Sequence, residues 1–86
     1  MSEIDEWRLR RARGVILEYI RGIKPRATLR WAIGCLTKSF GLNKEEINLL
    51  IESIKRDPTI IMTEERLNKI EILKRAIEKV RASEQV

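Results

Sequence analysis

Aliphatic side chains recur every three or four residues along almost the whole chain, and this spacing favours a fold of packed helices. In the first segment the apolar positions fall within an arc of about 100° on a helical wheel. They are Leu9, Ala12, Ile16, Tyr19, Ile20 and Ile23. Ser2 is a suitable N-cap, and Pro25 disfavours helical backbone at the residue before it. We therefore predict an amphipathic helix over residues 3–23.

A second helix is predicted to begin after Thr28, which can cap it. The stripe that it would bury consists of Leu29, Ile33, Leu36 and Phe40, widened by Trp31, Ala32 and Cys35. Gly41 supplies the left-handed residue that ends such a helix, and Leu42 is placed to pack back on its last turn. Because this helix is apolar around much of its circumference, we expect it to lie centrally.

A third helix is predicted from a capping box. Asn43 and Glu46 have the spacing at which each side chain caps the other's backbone N–H. Apolar residues then follow at helical spacing, at Ile47, Leu50, Ile51 and Ile54. Asp57 and Pro58 are expected to close this helix.

Two structures are compatible with the last segment. Thr63 as N-cap, followed by apolar residues at Leu67, Ile70, Leu73, Ile77 and Val80, predicts a long helix with a frayed tail over 83–86. Alternatively, residues 59–73 form a β-hairpin, since Ile70 and Ile72 also alternate. The helix is favoured because the segment is rich in helix formers and has no turn sequence such as Asn-Gly. In both cases residues 1–86 form one domain.

The segment around Gly41 resembles the helix-turn-helix motif of DNA-binding proteins over about twenty residues. When Gly41 is matched with the turn glycine of the motif, apolar residues occupy its buried positions, at Leu36, Phe40, Leu42, Ile47 and Leu50. Thr37 departs from the pattern, since the motif usually has alanine there. The resemblance implies a small all-α domain of four helices. With the hairpin alternative it would extend to a winged helix.

In DNA-binding members of this family the second helix of the motif enters the major groove. The corresponding helix here carries three basic and three acidic residues, namely Lys44, Lys55 and Arg56 with Glu45, Glu46 and Glu52. Carboxylates that face the phosphates would be repelled. We therefore do not expect this helix to be the main DNA-binding surface.

Composition excludes several functional classes. One cysteine and no histidine among 86 residues exclude a disulfide scaffold and a zinc site built from cysteine and histidine. Without histidine, a phosphate-binding loop or a nucleophile elbow, we expect neither an enzyme nor a bound cofactor or metal. The longest uncharged run, 31–37, is too short to span a bilayer. The acidic N-terminus has no signal-peptide pattern, so we expect a cytoplasmic protein that does not act on membranes.

The positive charge is concentrated in the first half of the chain. Residues 1–40 hold nine basic and four acidic side chains, whereas residues 41–86 hold nine of each, so the first half accounts for the net charge of +5. Segregated charge of one sign indicates a polyanionic partner or an acidic protein surface. The predicted nucleic-acid-binding residues are Trp7, Arg8, Arg10, Arg11, Arg13, Arg21, Lys24, Arg26 and Arg30.

These observations support two functions. In the first, the protein binds duplex or single-stranded DNA with little sequence specificity, because arginine pairs with phosphate oxygens and an indole can stack on a base. In the second, it is an accessory subunit of a DNA or RNA polymerase from a thermophilic archaeon. There the same arginines would dock on an acidic surface of the larger protein and stabilise it.

Overall fold

Four α-helices form in the regions that the apolar spacing predicts. A computed structural model describes residues 3–84, and it describes side chains from 6 to 79. The helices are α1 (Glu3–Arg21), α2 (Leu29–Gly34), α3 (Lys44–Arg56) and α4 (Glu64–Glu84). Ser2, the expected cap of α1, lies outside the described residues. The prediction of an all-α, four-helix domain is confirmed.

The hairpin alternative for residues 59–73 is wrong. Residues 59–63 are irregular, and the described chain contains no β-strand. Thr63 caps α4 instead, since its Oγ1 accepts a hydrogen bond of 3.2 Å from the Arg66 N–H. Helix formers and a good cap decide the conformation here, because no residue of the segment favours a tight β-turn. α4 continues to Glu84, into the segment for which a frayed tail was expected.

The predicted caps of α2 and α3 are present. Thr28 Oγ1 accepts a hydrogen bond from the Trp31 N–H at 3.2 Å. Asn43 Oδ1 accepts from the Glu46 N–H at 2.8 Å, and Glu46 Oε1 accepts from the Asn43 N–H at 3.0 Å, which completes the capping box. Each side chain satisfies a backbone donor that has no partner within its helix.

The chain between α2 and α3 contains one feature that the spacing did not predict. α2 runs into a π-helical segment, Cys35–Ser39, in which the Phe40 N–H donates to the Cys35 carbonyl at 2.9 Å. Thr37 lies in this segment, and its hydroxyl donates to the Ile33 carbonyl at 2.7 Å. Gly41 then adopts a φ of +60°, and the buried Leu42 packs back on the helix, as expected.

α1 ends earlier than predicted. Gly22 adopts a φ of +63°, and its N–H donates to the Glu18 carbonyl at 3.2 Å, so the helix stops at Arg21 before Pro25 can act. Ile23 consequently leaves the helical register and is 78% exposed. Its prediction as a core residue is wrong.

The C-terminal end of α1 is held by a reciprocal contact with α4. Lys69 Nζ donates to the Tyr19 carbonyl at 3.2 Å, and the Tyr19 hydroxyl donates to the Lys69 carbonyl, also at 3.2 Å. The ammonium lies 5.5 Å from the centre of the Tyr19 ring. A cation in this position also interacts favourably with the negative end of the helix dipole.

The core lies where the two long helices meet the shorter ones. α1 and α4 contact each other, and each contacts both α2 and α3. The largest fully buried side chains are Ile16, Ile20, Leu36, Ile47, Ile51, Ile54, Ile70, Leu73 and Ile77. Because the core stripe of α1 faces these residues, its opposite side remains open to solvent.

Candidate nucleic-acid interface

The exposed side of α1 carries an aromatic and several basic side chains together. Trp7, Arg10, Arg11 and Arg21 are all exposed. At 100° per residue their positions span an arc of about 100°, opposite the buried stripe of the helix. The helical period of the apolar residues therefore fixes where these four side chains project.

Trp7 and Arg11 form a pair one helical turn apart. The Arg11 guanidinium carbon lies 5.0 Å from the centre of the Trp7 ring, which is cation–π geometry. The Trp7 side chain is 57% exposed. Positions i and i+4 are neighbours on a helix surface, so the sequence spacing itself brings the two groups together.

Two of the predicted binding residues are instead engaged inside the molecule. Arg8 Nη2 donates to Glu46 Oε2 at 3.2 Å, and the Arg13 guanidinium pairs with the Asp57 carboxylate. Both arginines are half-buried. They lie on the two edges of the buried stripe, where α3 and its C-terminal end come within reach. Their role in binding nucleic acid stays a prediction, and their charges are partly compensated by these carboxylates.

The remaining predicted residues lie around the turn after α1. Lys24 pairs with Glu18, with 3.1 Å between Nζ and Oε1, so its charge is partly compensated. Arg26 and Arg30 are exposed. Among the predicted binding residues, five arginines take part in no ion pair with the described part of the chain: Arg10, Arg11, Arg21, Arg26 and Arg30. We call these five residues the basic face.

Gly14 leaves a gap on the exposed side of α1. A Cβ added there would meet nothing within 4 Å, so packing within the protein does not require glycine at this position. A helix with glycine at an interior position is less stable than one with alanine there by roughly 0.5–1 kcal/mol. The gap lets another molecule approach the helix backbone between Trp7 and Arg21.

Two of the six charged residues of α3 are engaged in ion pairs among the described residues. Lys44 pairs with Glu78 of α4, and Glu46 both caps α3 and pairs with Arg8. The pKa of Glu78 is lowered by the hydrogen bond and charge of Lys44. The exposed surface of α3 also includes Leu49, which is 71% exposed. The other two cations of α3, Lys55 and Arg56, are exposed at the C-terminal end, and the helix carries three carboxylates, so its net charge is zero.

The exposure of Ile23 could have been found in the sequence. Gly22 precedes it, and a glycine there can end a helix in the way that Gly41 does. Ile23 also continues the apolar spacing of the first helix, which favoured the longer helix. It lies beside Arg21 and Lys24, so an apolar side chain accompanies the cations at this end of α1.

Other kinds of site are not seen in the described residues. None of their helices is both long and apolar enough to cross a membrane. No group of three or more acidic, cysteine or histidine side chains in this part of the chain could hold a metal ion. Comparisons with protein-family models, with curated proteins and with solved structures found no match.

Proposed function

We propose that this protein binds nucleic-acid phosphates through the basic face, with little sequence specificity. The observation that carries the proposal is the contrast among the basic residues of the first half of the chain. Arg8, Arg13 and Lys24 have carboxylate partners, whereas the five arginines of the basic face are in no ion pair among the described residues. Their charge is available to a partner.

Arginine suits this role because its planar guanidinium donates two parallel hydrogen bonds to phosphate oxygens. Five such contacts would make the logarithm of the binding constant fall with the logarithm of salt concentration, with a slope of about −4.5 for duplex DNA. For single strands the expected slope is about −3.5.

The low specificity follows from where the cations lie. The segment that resembles a helix-turn-helix motif ends in α3, and its Lys44 and Glu46 side chains are engaged with α4 and α1. This arrangement supports a scaffold role for that segment. Contacts to phosphates position a protein on nucleic acid but carry no sequence information.

The test is a binding titration across a salt series. In the variant Arg10→Gln/Arg11→Gln/Arg21→Gln, we expect the duplex slope to become about 2.7 less steep, with weaker binding at every salt concentration. The matched control is Lys55→Gln/Arg75→Gln/Lys79→Gln, which removes three exposed charges from α3 and α4. The control should keep the natural slope.

Two results would contradict the proposal. One is absence of binding at about 50 mM salt, where phosphate contacts are strong. The other is an equal loss in both triple variants, because the effect would then depend on net charge and not on the basic face.

A second candidate function is the accessory polymerase subunit. It is favoured by apolar side chains that are exposed in α3, in α4 and between them, namely Leu49, Ile72 and Ile61. In the same experiment, this function predicts no nucleic-acid binding by the isolated protein. A stoichiometric protein partner should then be recovered from the native lysate, and recovery should be lost when Leu49 is replaced by glutamate.

A further inference from the structure

We propose that the nucleic acid bound by the basic face is single-stranded, and that Trp7 with Arg11 forms a stacking site for one unpaired base. This inference rests on the proposed function and specifies its ligand. It depends on the position of Trp7, on the cation beside its ring and on the shape of the helix surface next to it.

Trp7 is not part of the hydrophobic core, so core packing does not explain a tryptophan at this position. The other tryptophan, Trp31, packs against the hydrophobic core, whereas Trp7 is 57% exposed. A large aromatic side chain on the solvent side of a helix is an unusual choice for a purely solvated surface. Its neighbours on that side, Arg10 and Arg11, are the residues proposed to bind phosphates.

Arg11 helps to hold the Trp7 ring in one orientation. With its guanidinium 5.0 Å from the ring centre, Arg11 restricts the orientation of the indole on one side. Because Trp7 is 57% exposed, part of its surface remains available to a base. The same guanidinium can reach a phosphate of the stacked nucleotide, because arginine carries five N–H donors.

The surface of α1 beyond Trp7 has room for a nucleic-acid strand that lies along the helix. Trp7, Gly14 and Arg21 follow each other at seven-residue steps, about 10 Å apart along the helix axis. Nothing fills the space beside Gly14, so a nucleotide backbone can pass close to the helix there. Arg21 lies beyond this gap and provides the next cation.

A duplex would not use this site. Its bases are already stacked on each other, and a base must be extruded before it can meet an aromatic ring. A single strand presents its bases without that cost, and stacking on an aromatic side chain strengthens binding about 5- to 150-fold. Trp7 therefore favours the single strand.

The experiment compares four probes of the same length at one low salt concentration. They are an oligothymidylate, an oligouridylate, a strand of abasic sites and a duplex. The abasic strand has the phosphates of the oligothymidylate but no bases, so it separates stacking from charge. The two base-containing strands distinguish DNA from RNA as the source of the ligand.

We expect the oligothymidylate or the oligouridylate to bind more tightly than both the abasic strand and the duplex. Trp7→Leu should weaken binding of the tighter strand about 5- to 150-fold and leave the abasic strand unchanged. Trp7→Phe keeps an aromatic ring and should restore part of the affinity. In a Trp31→Phe variant, in which Trp7 is the only tryptophan, the bound strand should quench the tryptophan fluorescence.

The inference is overturned if the abasic strand binds as tightly as the base-containing strands, or if the duplex binds most tightly. It is also overturned if Trp7→Leu weakens all four probes equally. In each of these cases the basic face still binds phosphates, and the proposed function stands. Absence of binding to every probe contradicts the proposed function as well.

Discussion

Gly14 and Gly22 differ in what the fold requires of them. Gly14 has ordinary helical backbone and open space around it, whereas Gly22 combines a φ of +63° with a close neighbour. A Cβ at Gly22 would lie 2.7 Å from Lys69 Nζ. The same substitution to alanine should therefore have opposite effects at the two positions.

We expect Gly14→Ala to stabilise the protein by roughly 0.5–1 kcal/mol, because alanine loses less backbone entropy in a helix. Gly22→Ala should destabilise it by at least about 1–2 kcal/mol, the cost of left-handed backbone for an L-residue, because the added methyl must also displace the Lys69 ammonium. For a domain of this size each kcal/mol shifts Tm by about 4–8 °C. Thermal unfolding followed by circular dichroism measures both changes.

Lys69 provides the control for Gly22. In a Lys69→Ala background the added methyl has no ammonium to displace, so only the backbone cost of Gly22→Ala should remain. A drop in Tm for Gly14→Ala would contradict the inference that nothing within the protein needs glycine there.

The start of α3 is coupled to α1 through one carboxylate. Glu46 Oε1 accepts from the Asn43 N–H, while Glu46 Oε2 accepts from Arg8. One side chain therefore serves both a helix cap and a contact between helices. The two functions can be separated by substitutions that remove one of them.

Asn43→Ala should cost about 1 kcal/mol of unfolding free energy, because the Glu46 N–H loses its acceptor. Glu46→Gln should cost less, since the amide oxygen can still cap Asn43 and only the half-exposed charge pair with Arg8 is lost. Urea unfolding of the two variants measures this order. A larger loss for Glu46→Gln would mean that the contact with Arg8 outweighs the cap.

Helices and their caps could be predicted from the sequence because both depend on residues close together in the chain. The capping box at Asn43 and the turn at Gly41 are examples. The π-helical segment could not be predicted from the sequence, because the apolar residues there have the spacing of an ordinary α-helix. These residues are Leu29, Ile33, Leu36 and Phe40.

The candidate site was predictable only in part, for a similar reason. A helical wheel places Trp7 and Arg10 opposite the core, and the structure agrees. A helical wheel does not reveal how much of α1 is covered by another helix. The partners of Arg8 and Arg13 lie 38 and 44 residues away, so their ion pairs depend on tertiary packing.

The molecule as a whole should lose stability in acid but not near neutral pH. The pKa of Asp57 is lowered by the Thr59 hydroxyl, then by the Thr59 N–H and by Arg13, and Lys44 lowers the pKa of Glu78. A lowered pKa stabilises the fold above the ordinary values, 3.8 for Asp57 and 4.5 for Glu78. This contribution is lost as the pH falls through the folded-state values.

We therefore expect an unfolding free energy that is nearly constant between about pH 5.5 and 8, because the chain contains no histidine to titrate there. It should fall as the pH drops below about 4.5. Urea unfolding at a series of pH values measures this profile. Asp57→Asn should lower the unfolding free energy at neutral pH, and this difference from the natural chain should shrink below pH 3.8. A difference in unfolding free energy that does not depend on pH would contradict a stabilising role for the Asp57 charge.

The reciprocal contact between Tyr19 and Lys69 joins residues 50 positions apart. It closes the chain into a long loop whose two ends are the last turn of α1 and the second turn of α4. If α4 detaches, the end of α1 next to Arg21 loses both of these hydrogen bonds. We therefore expect the end of α1 and α4 to exchange their amide hydrogens as one cooperative unit.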